Sequence, residues 1–439
     1  MAISRRKLHI SAALACTVSQ GGAFGAEPVV ITATRTAKSV DDTIAPVTVL
    51  TTEQLRRSGA QNAAQALRGQ SGVDITRFGG EGAMQSLYIR GTNPDHVLVL
   101  VDGVRVGSAT DSAARLELIP TSMIERIEVV RGPRASLYGD DALGGVIQVF
   151  TRKDVNPSLT VGLGTHETAA FTVNGGHTFG GTTLNGALSH RQSDGFNARK
   201  PSTDTFSVDE PDEDGIREDA LTVGLNHQWS TTTHAGVSLL RTQAESDFDG
   251  FTNHADTVQQ VLSVFFDSAV TEQWTTLIRI SQNRDDSDNF SAGAFFSRFN
   301  TRRDALSWQN DFALSQSALL TLGADATHDR IESTVDYSDH DRRNSALFAQ
   351  WQWSRDALGM EVAARRDHND QFGDHATGNI ALRYNITGDL NATLSAGTAF
   401  KAPSFNDLYW PNDTFFVGNA NLEPEESETL QVGLRKRMH

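Results

Sequence analysis

Residues 88–106 read YIRGTNPDHVLVLVDGVRV, and residues 124–153 read IERIEVVRGPRASLYGDDALGGVIQVFTRK. The two stretches contain three short runs rich in β-branched residues, at 96–101, 124–130 and 146–151. Clusters of Gly, Pro, Asp and Asn separate the runs, a pattern typical of buried strands joined by tight turns. The pattern predicts the small mixed sheet of a compact α/β domain.

The turns between these runs place glycines next to charged residues. Glycine is used where the backbone needs a positive φ or a close approach, and arginine can hold a turn by bonding to carbonyl or carboxylate oxygens. We expect Arg90, Asp102 and Arg131 to form salt bridges inside this domain rather than to contact a substrate. The residues assigned to these structural turns are Arg90, Gly91, Asp102, Gly103, Arg131, Gly132 and Pro133.

Beyond residue 153 the sequence changes to an alternation of apolar and polar residues. We count about fourteen strands of this kind, joined alternately by short turns and by long polar loops. Trp and Tyr residues fall near the predicted strand ends, where a membrane barrel carries its aromatic girdle. The pattern predicts an all-β, antiparallel, up-and-down transmembrane β-barrel, with a soluble sandwich or β-solenoid as the alternative. No internal repeat of fixed period supports the solenoid.

Composition restricts the classes of protein without selecting one. The chain has 439 residues and a formal net charge of −16 at pH 7, which argues against nucleic-acid binding. It contains no run of about 18 apolar residues, which a transmembrane helix would need. Its low mean hydropathy fits a soluble protein and a β-barrel equally well. The single cysteine, Cys16, lies near the N-terminus, so we expect no disulfide in the rest of the chain.

The N-terminal residues indicate export and an extended segment. Residues 1–25 combine basic residues, a modest apolar centre and small residues at the end. This predicts a secretory signal peptide cleaved after residue 25 or 26, with a disordered tail as the alternative. Residues 27–34 then read EPVVITAT, a short β-branched segment. An unpaired strand of this kind can add to the sheet of another protein.

The stretch at 88–153 resembles the plug domain of TonB-dependent outer-membrane receptors, with RG, LVDGV, IERIEVVRGPRASLYG and GGVIQV in order. The segment NANLEPEESETLQVGL at 419–434 resembles a late barrel strand of the same family. The resemblance places the chain in the outer membrane of a Gram-negative bacterium. It implies a signal peptide (1–25), a TonB box and linker (26–36), an α/β plug domain (37–153) and a receptor β-barrel (154–439).

The same resemblance implies the partners of the chain. The periplasmic protein TonB, energised by ExbB and ExbD, would pair with the TonB box, and outer-membrane lipid would surround the barrel. Because a complete barrel of this family has about twenty-two strands, we expect a fragment or a truncated product with an incomplete barrel. The residues assigned to the TonB box are Pro28, Val29, Val30, Ile31, Thr32 and Ala33.

The segment RGTNPDHVLVLVDGVR at 90–105 narrows the resemblance to the cobalamin transporters among these receptors. In them the ligand lies on the extracellular apices of the plug, which correspond to 78–84 and 106–110 here. The letters at both apices depart from the family, so a related corrinoid, a siderophore (iron chelate) and a non-transporting TonB-binding module are alternatives. The resemblance implies substrate contacts from Phe78, Met84, Ser108, Ala109 and Thr110.

The loop DTFSVDEPDEDGIRED at 204–219 concentrates carboxylates around a proline and a glycine. Oxygen ligands on a flexible turn suit Ca²⁺, although the spacing differs from an EF-hand and a solvated acidic loop is the alternative. Cobalamin transporters carry calcium-binding aspartates in the corresponding extracellular hairpin, and SDFDGF at 246–251 matches a second contributing position. The resemblance implies a structural Ca²⁺ site formed by Asp209, Asp212, Asp214, Asp247 and Asp249.

A catalytic function is not indicated. The sequence has no G-x-S-x-G, no H-E-x-x-H and no glycine-rich phosphate loop. The adjacent pairs His328-Asp329 and Asp367-His368 have acid–base character, but charge pairing on a barrel surface explains them better. We therefore predict a receptor that is not an enzyme and has no catalytic cofactor.

Overall fold

The computed structural model describes residues 30–31, 34–40, 42–200, 210–411 and 416–436 of the chain. Within these residues a small N-terminal domain is followed by one large antiparallel sheet. In chain order the N-terminal elements are β1 (Val30–Ile31), β2 (Lys38–Ser39), β3 (Val47–Thr51), α1 (Thr52–Ser58), α2 (Ala63–Leu67), β4 (Val73–Arg77), β5 (Gln85–Ile89), β6 (Val97–Val101), β7 (Val104–Val106), β8 (Ile124–Arg131), α3 (Ala135–Tyr138) and β9 (Gly145–Thr151).

The N-terminal domain is organised around a five-stranded sheet in the order β3-β8-β9-β6-β7. The pair β6 and β9 is parallel, and the other neighbours are antiparallel, so the sheet is mixed as the sequence predicts. The three predicted runs correspond to β6, β8 and β9, with ends that agree to within one residue.

The two central strands of this domain are buried along their whole length. Every residue of β6 and of β9 is buried, as expected for continuous apolar runs that are covered on both faces. Ile127, Ile147 and Val149 have no exposed surface, and burial of a side chain of this size stabilises the fold by about 1.5–3 kcal/mol. The large sheet contributes to the same core with Ala187, Ala220, Leu240 and Val261.

The sequence predicts two short helices in this domain, one capped by Thr52 and running through Leu55, and one over Asn62–Leu67. The first begins one residue earlier, with Thr51 as its cap, and ends three residues later, at Ser58. The Thr51 hydroxyl accepts the Gln54 N–H, and the Gln54 side chain accepts the Thr51 N–H, which closes a capping box. Asn62 likewise caps α2 rather than beginning it. No helix in the described ranges has the length and apolar character that crossing a membrane as a helix requires.

The large sheet has fourteen strands, each antiparallel to the next. Consecutive strands are neighbours throughout, so the sheet is an up-and-down meander with β10 and β23 at its edges. The strands, together with one helix between the last two, are β10 (Ser158–Leu163), β11 (Ala169–Phe179), β12 (Thr182–Ser193), β13 (Ile216–Gln228), β14 (Thr233–Asp247), β15 (His254–Thr271), β16 (Trp274–Ser291), β17 (Ala294–Ser315), β18 (Ala318–Ser333), β19 (Asp341–Arg355), β20 (Leu358–Asn369), β21 (Gly373–Asn385), β22 (Leu390–Lys401), α4 (Phe405–Tyr409) and β23 (Glu425–Lys436).

The connections at the two ends of this sheet differ in length. One end, called here the turn end, carries short links such as 180–181, 272–273 and 316–317. The other, called here the loop end, carries the longest connections, 194–215 and 402–424. This alternation of short turns and long loops is typical of a barrel that crosses the outer membrane.

The strands of the large sheet present a polar inner face and an apolar outer face. Along β13 burial alternates strictly from residue 216 to 225. Ala220 and Thr222 are buried, whereas Leu221, Val223 and Leu225 keep 37–42% of their surface exposed on the opposite face. Exposed apolar and buried polar positions reverse the pattern of a soluble sheet and fit a strand in lipid. The predicted fold class, a transmembrane barrel with an N-terminal α/β domain, is therefore confirmed.

Candidate functional site

A cavity of about 740 Å³ opens between the N-terminal domain and the last long loop of the large sheet. Met84 lines it on the side of the N-terminal domain, and Trp410 and Phe416 line it on the side of the loop. Of the predicted apolar contacts, Met84 therefore faces the cavity, whereas Phe78 is 56% exposed and does not line it. The charged residues of the lining are Lys401, Asp95, Asp111, Asp407, Glu423 and Glu425.

An ion network lies at the edge of this cavity, between the N-terminal domain and β22. The Lys401 ammonium is 3.0 Å from Asp141 and 3.8 Å from Asp95. Arg105 donates to Asp140 at 2.5 Å and to Asp141. Burial alone would raise the pKa of Asp140, but the positive charges of Arg105 and Lys401 outweigh it and hold that pKa well below its usual range. The network therefore keeps Asp140 ionised and ties the domain to the sheet through Lys401.

The other predicted contacts, Ser108, Ala109 and Thr110, lie beside the cavity but not at its surface. All three are buried. The Ser108 and Thr110 hydroxyls are 2.6 Å apart, and the Ala109 N–H donates to the Thr301 hydroxyl of β17 at 3.3 Å. The Thr110 carbonyl accepts the Asn406 N–H of α4 at 2.9 Å. These residues hold α4 against the domain, so a substrate could reach them only after α4 moves; their contact with substrate stays a prediction.

Sequence reasoning missed most residues that line the cavity. Asp111 directly follows the predicted apex. Lys401 ends β22, and Asp407, Trp410 and Glu423 come from the loop that follows it, about 300 residues further along the chain. Only the pairing of fourteen strands brings that loop over the N-terminal domain. A signal was present in the sequence, because this loop is among the longest connections.

The described members of the predicted calcium set lie in two connections at the loop end, and Asp214 lies next to an apex of the N-terminal domain. A Cβ on Gly80 would lie 2.6 Å from the Asp214 Cβ, so glycine permits this close approach. Burial, helped by the charges of Asp249, Asp212 and Asp247, raises the pKa of Asp214 to about 6 although its carboxylate accepts a backbone N–H. Burial, with the charge of Asp212 among other causes, also raises the pKa of Asp249. Asp209 lies outside the described residues.

The acidic loops fit a cation in charge but do not form a closed ligand set. The buried Asp249 Oδ2 has no hydrogen-bond partner in the described part of the chain. Asp247 bonds His254 at 2.7 Å instead of pointing at the other carboxylates. Within the described residues, no three His, Cys, Asp or Glu side chains come together as a metal site. An unpaired buried oxygen among raised pKa values is the chemistry that a divalent cation would relieve.

The extended segment near the N-terminus is docked against the inner face of the large sheet. Within the predicted TonB box the backbone of β1 pairs with β2. Next to it, Arg35 makes two bonds to Asp325, at 2.8 and 3.2 Å, and stacks 4.3 Å from the centre of the Phe348 ring. Asp325 also accepts from Arg365 at 2.6 Å. The remaining box residues, Pro28, Val29, Thr32 and Ala33, lie outside the described residues.

The aspartate-glycine turn is held by hydrogen bonds within the domain, not by the salt bridge that we expected from Asp102. Asp102 adopts φ 48°, and its carboxylate accepts the Thr151 N–H and hydroxyl at 3.1 and 2.5 Å. Gly103 adopts φ 80°, and a Cβ there would collide with Arg279 of the large sheet. In the preceding arginine-glycine turn, Gly91 has φ 77°. Backbone conformation therefore selects the glycines in both turns.

The expected salt bridges of the turn residues are corrected by the structure. Arg90 donates to the Gln431 side chain of β23 at 2.8 Å, which is a neutral acceptor outside its own domain. Arg131 donates to the Ser71 carbonyl at 2.7 Å. Amide, carbonyl and hydroxyl oxygens, the last from Thr48, therefore take the place of the expected carboxylates. The last two assigned residues, which link β8 to α3, are Gly132 and Pro133.

The sequence matches two family models in tandem. The TonB-dependent receptor plug domain matches residues 39–146, and the TonB-dependent receptor-like β-barrel matches residues 154–438. The chain belongs to the TonB-dependent receptors. This family lies in the outer membrane of Gram-negative bacteria and consists of receptors and transporters, so the predicted location and the predicted absence of enzyme activity are confirmed. The N-terminal domain is hereafter called the plug and the large sheet the barrel.

Individual relatives are similar over most of the chain. The vitamin B12 transporter BtuB of Photobacterium profundum is 33% identical, over 92% of this chain and 66% of the relative. BtuB of Vibrio vulnificus is 31% identical, over 93% and 67% respectively. The chain thus spans about two thirds of the length of these relatives.

Solved structures with the same fold are siderophore receptors. A mutant of the ferric enterobactin receptor PfeA from Pseudomonas aeruginosa has a TM-score of 0.75 at 18% identity, over 90% of this chain and 69% of its own. PirA from Acinetobacter baumannii has a TM-score of 0.73 at 16% identity, over 89% and 68%. At these identities the likeness establishes the fold alone.

Proposed function

We propose that the chain serves TonB-dependent uptake of a corrinoid, of the cobalamin type, across the outer membrane. The observation that carries the proposal is the cavity of about 740 Å³ between the plug and the loop that contains α4. It lies at the loop end, which faces the cell exterior in barrels of this kind. Similarity to two BtuB proteins over more than nine tenths of the chain supports the same ligand class.

The charge of the cavity favours a corrinoid over an iron chelate. Five carboxylates line it against one ammonium, and that ammonium is already held by Asp141 and Asp95. Catecholate iron chelates carry net negative charge, so an acidic pocket would repel them. A cyanocorrinoid carries no net negative charge. Its ring offers apolar surface to Met84, Trp410 and Phe416, and its amides can donate to the carboxylates of the cavity.

A siderophore is the second candidate, and the structural neighbours favour it. Both neighbours are siderophore receptors, and they share the arrangement of plug and barrel with this chain. Because their sequence identity is low, these structures support the same fold for this chain but not the same residues in the pocket. The charge of the cavity therefore discriminates between the two candidates.

Ca²⁺ would support the binding site from the neighbouring loops. Asp212, Asp214, Asp247 and Asp249, with Asp209, are the residues that would hold it. A bound divalent cation would neutralise these carboxylates and fix both loops against the plug apex at Gly80. Proton competition at Asp214, whose pKa is about 6, predicts that cation affinity falls as the pH drops below that value.

TonB would engage the chain at the TonB box. A short strand that is paired only with β2 can exchange that partner for an edge strand of TonB. Binding at the cavity can favour this exchange only if the ligand has different affinities for the two plug states. ExbB and ExbD would energise TonB, and the lipid of the outer membrane would surround the apolar outer face.

Calorimetric titration of cyanocobalamin into the detergent-solubilised chain, with and without Ca²⁺, tests the proposal. We expect binding that weakens on chelation and that Trp410→Ala reduces about tenfold or more, while Trp229→Ala at the turn end serves as the control. Titration of a ferric catecholate separates the candidates. Binding of the catecholate without binding of cyanocobalamin would overturn the corrinoid proposal in favour of a siderophore.

A charge variant sharpens this test. Asp111→Asn and Glu423→Gln together remove two negative charges from the lining while keeping its shape. For a corrinoid receptor we expect little change in cyanocobalamin affinity and weaker repulsion of the catecholate. A large loss of cyanocobalamin binding in this variant would contradict the charge argument.

A further inference from the structure

A second cavity, of about 240 Å³, lies between the plug and the barrel at the turn end. Its barrel residues come from the turn-end halves of β12 to β16, and its plug side is formed by Asp102 and by residues 151–153, which lead from the plug into the barrel. It shares no residue with the cavity of about 740 Å³ at the loop end. Because the loop end faces the cell exterior, this second cavity, called here the turn-end cavity, lies toward the periplasm.

Small residues on the inner wall of the barrel make room for the turn-end cavity. Asn185, Gly224, Ser238 and Ser263 lie directly opposite one another, each with the next, across β12 to β15. A Cβ on Gly224 would lie 2.4 Å from the Asn185 Oδ1, so glycine leaves the space that the amide occupies. The inner wall is therefore recessed here, and the side chains of the recess are polar.

Three cationic residues line the turn-end cavity without a carboxylate partner. Arg152, Lys153 and Arg279 form no ion pair with any Asp or Glu in the described part of the chain. The buried Nε atoms of Arg152 and Arg279 also have no hydrogen-bond partner there, while the Arg279 Nη1 donates to the Gly103 carbonyl at 3.3 Å. Because buried charges are normally paired, these groups indicate an anionic partner that the described residues do not supply.

Two neutral side chains of the lining are buried and likewise unpaired. Thr222 is 3% exposed and Asn185 is 5% exposed. The Thr222 hydroxyl and the Asn185 Oδ1 have no hydrogen-bond partner among the described residues. A hydroxyl can donate or accept, whereas an amide oxygen only accepts. A ligand that satisfies these groups together with the arginines must carry acceptor oxygens and at least one hydrogen-bond donor.

Two carboxylates also line the cavity and restrict the kind of anion that fits. Both oxygens of Asp102 accept hydrogen bonds from Thr151, at 3.1 and 2.5 Å. Asp267 lies 3.8 Å from the His234 ring. With three cations against two carboxylates the lining keeps an excess of positive charge. Asp267 would repel an anion without a proton but would accept a hydrogen bond from a hydroxyl.

We propose that the turn-end cavity binds a phosphate group together with a hydroxyl, as hydrogen phosphate or as a small phosphate monoester. The phosphate oxygens accept from the guanidinium and ammonium groups, and the hydroxyl donates to Asn185 or Asp267. Arg152 and Lys153 belong to the link between plug and barrel, whereas Arg279 belongs to β16. The bound anion therefore joins the two parts of the protein from the periplasmic side. The site is independent of the loop-end cavity and of the transported ligand.

Calorimetric titration of inorganic phosphate into the full chain in detergent, in Ca²⁺-free buffer at neutral pH, tests the proposal. The variant Arg152→Gln/Lys153→Gln is compared with the control Arg56→Gln/Arg57→Gln, which removes the same charge from an adjacent exposed pair at the end of α1. We expect the cavity variant to bind about tenfold more weakly or worse, and the control to bind like the wild type. Circular dichroism establishes that both variants are folded.

A second variant leaves the charge of the cavity unchanged. Thr222→Val keeps the size of the side chain and removes only the unpaired hydroxyl. Because a hydrogen bond to a charged group is lost, we expect phosphate to bind about tenfold more weakly to this variant. Unchanged binding of phosphate to both Thr222→Val and the cavity variant would place the phosphate elsewhere and overturn the proposal.

Glycerol 3-phosphate and sulfate define the ligand. Tighter binding of glycerol 3-phosphate than of inorganic phosphate supports a phosphate monoester as the occupant, and the reverse order supports free phosphate. Sulfate has the shape of phosphate but no hydroxyl at neutral pH, so we expect it to bind about tenfold more weakly. No saturable binding of either phosphate, equal binding by cavity variant and control, or sulfate binding as tight as that of phosphate would each overturn the proposal.

Discussion

Neighbouring arginines on the inner and outer walls of the barrel differ in burial and in ion pairing. Arg303 points inward, is 6% exposed, and makes two short bonds to Asp329 of β18 at 2.6 and 2.9 Å. Arg302, one residue earlier, points outward, keeps half of its side chain exposed, and has one bond to Asp304 at 3.2 Å. Two neighbouring arginines on one strand thus differ: the inner one is buried in a doubly bonded ion pair, and the outer one makes a single bond and stays exposed.

The difference follows from what covers each face. The inner wall is covered by the plug, so each buried charge needs a partner within the protein. Outside the apolar band, the outer wall faces solvent or lipid headgroups, so the charges there can be satisfied from outside. Inner charges therefore depend on partners within the protein, and these outer charges do not.

The largest expected effect is the loss of an inner carboxylate. Asp329→Ala leaves the buried Arg303 without its two bonds, close to the positive charges of Arg105 and Arg342. Removing one partner of a buried pair costs about 3–5 kcal/mol, so we expect a loss of this size in the free energy of unfolding. Urea unfolding in detergent measures it. A loss below 1 kcal/mol would show that the inner wall is as well hydrated as the outer wall.

A pH titration tests burial at the boundary between plug and barrel. Glu117 is 2% exposed, and burial raises its pKa to about 7 from an unfolded value of about 4.5. Because the pKa of Glu117 is higher in the folded than in the unfolded protein, its contribution to stability is greatest below pH 4.5. This contribution is lost as the pH rises through 7. This corresponds to about 3 kcal/mol between those limits.

The variant Glu117→Gln should not show this loss. We expect the difference in unfolding free energy between the variant and the wild type to grow in favour of the variant from pH 4.5 to pH 8. Thermal unfolding at several pH values measures the difference. A difference that does not depend on pH would mean that Glu117 is solvated in the folded protein.

The extent of the apolar outer band is tested by one substitution. Ile280→Arg places a charge on the outer wall of β16, at a position that is 60% exposed. An arginine facing hydrocarbon costs about 2–4 kcal/mol at the bilayer midplane and about 0–1 kcal/mol at the interface, so we expect about 2 kcal/mol. Unfolding from lipid vesicles measures this cost. No cost would place Ile280 outside the hydrocarbon and contradict its assignment to the apolar outer face.

The smallest expected effect belongs to the outer arginine itself. Arg302→Ala should change the free energy of unfolding by only about 0–1 kcal/mol, because its ion pair is exposed to solvent. The matched variant Arg303→Ala, one residue away, should cost several times more. Urea unfolding of both variants compares the two walls directly. Equal costs would contradict the distinction between the walls.

Sequence patterns predicted the strands of the plug and of the barrel, because in both the order of apolar and polar residues decides which side chains are buried. The runs that became β6, β8 and β9 are rich in β-branched and other apolar residues, which favours burial in the centre of the domain. The alternation after residue 153 likewise specifies which side chains face lipid. The errors are local: the start of α1 was wrong by one residue because Gln54 closes a capping box on Thr51.

The binding site was less predictable than the fold. Met84 was identified through the resemblance of the plug apex, and it does line the cavity. Ser108 and Thr110 were assigned by the same reasoning, yet the structure buries them under α4. Position along the chain could not show that a loop after β22 folds back over this apex. The remaining assigned contacts and metal ligands stay predictions.

The sequence alone determined the membrane barrel, the plug and the turn glycines of this protein, because short-range periodicity and backbone conformation are local properties. Only the tertiary structure decided which charges meet. The cavity lining and the pair of Arg303 with Asp329 both join residues from different elements of the chain. Their spacing depends on strand register, and a shift of one residue would exchange the inner and outer faces.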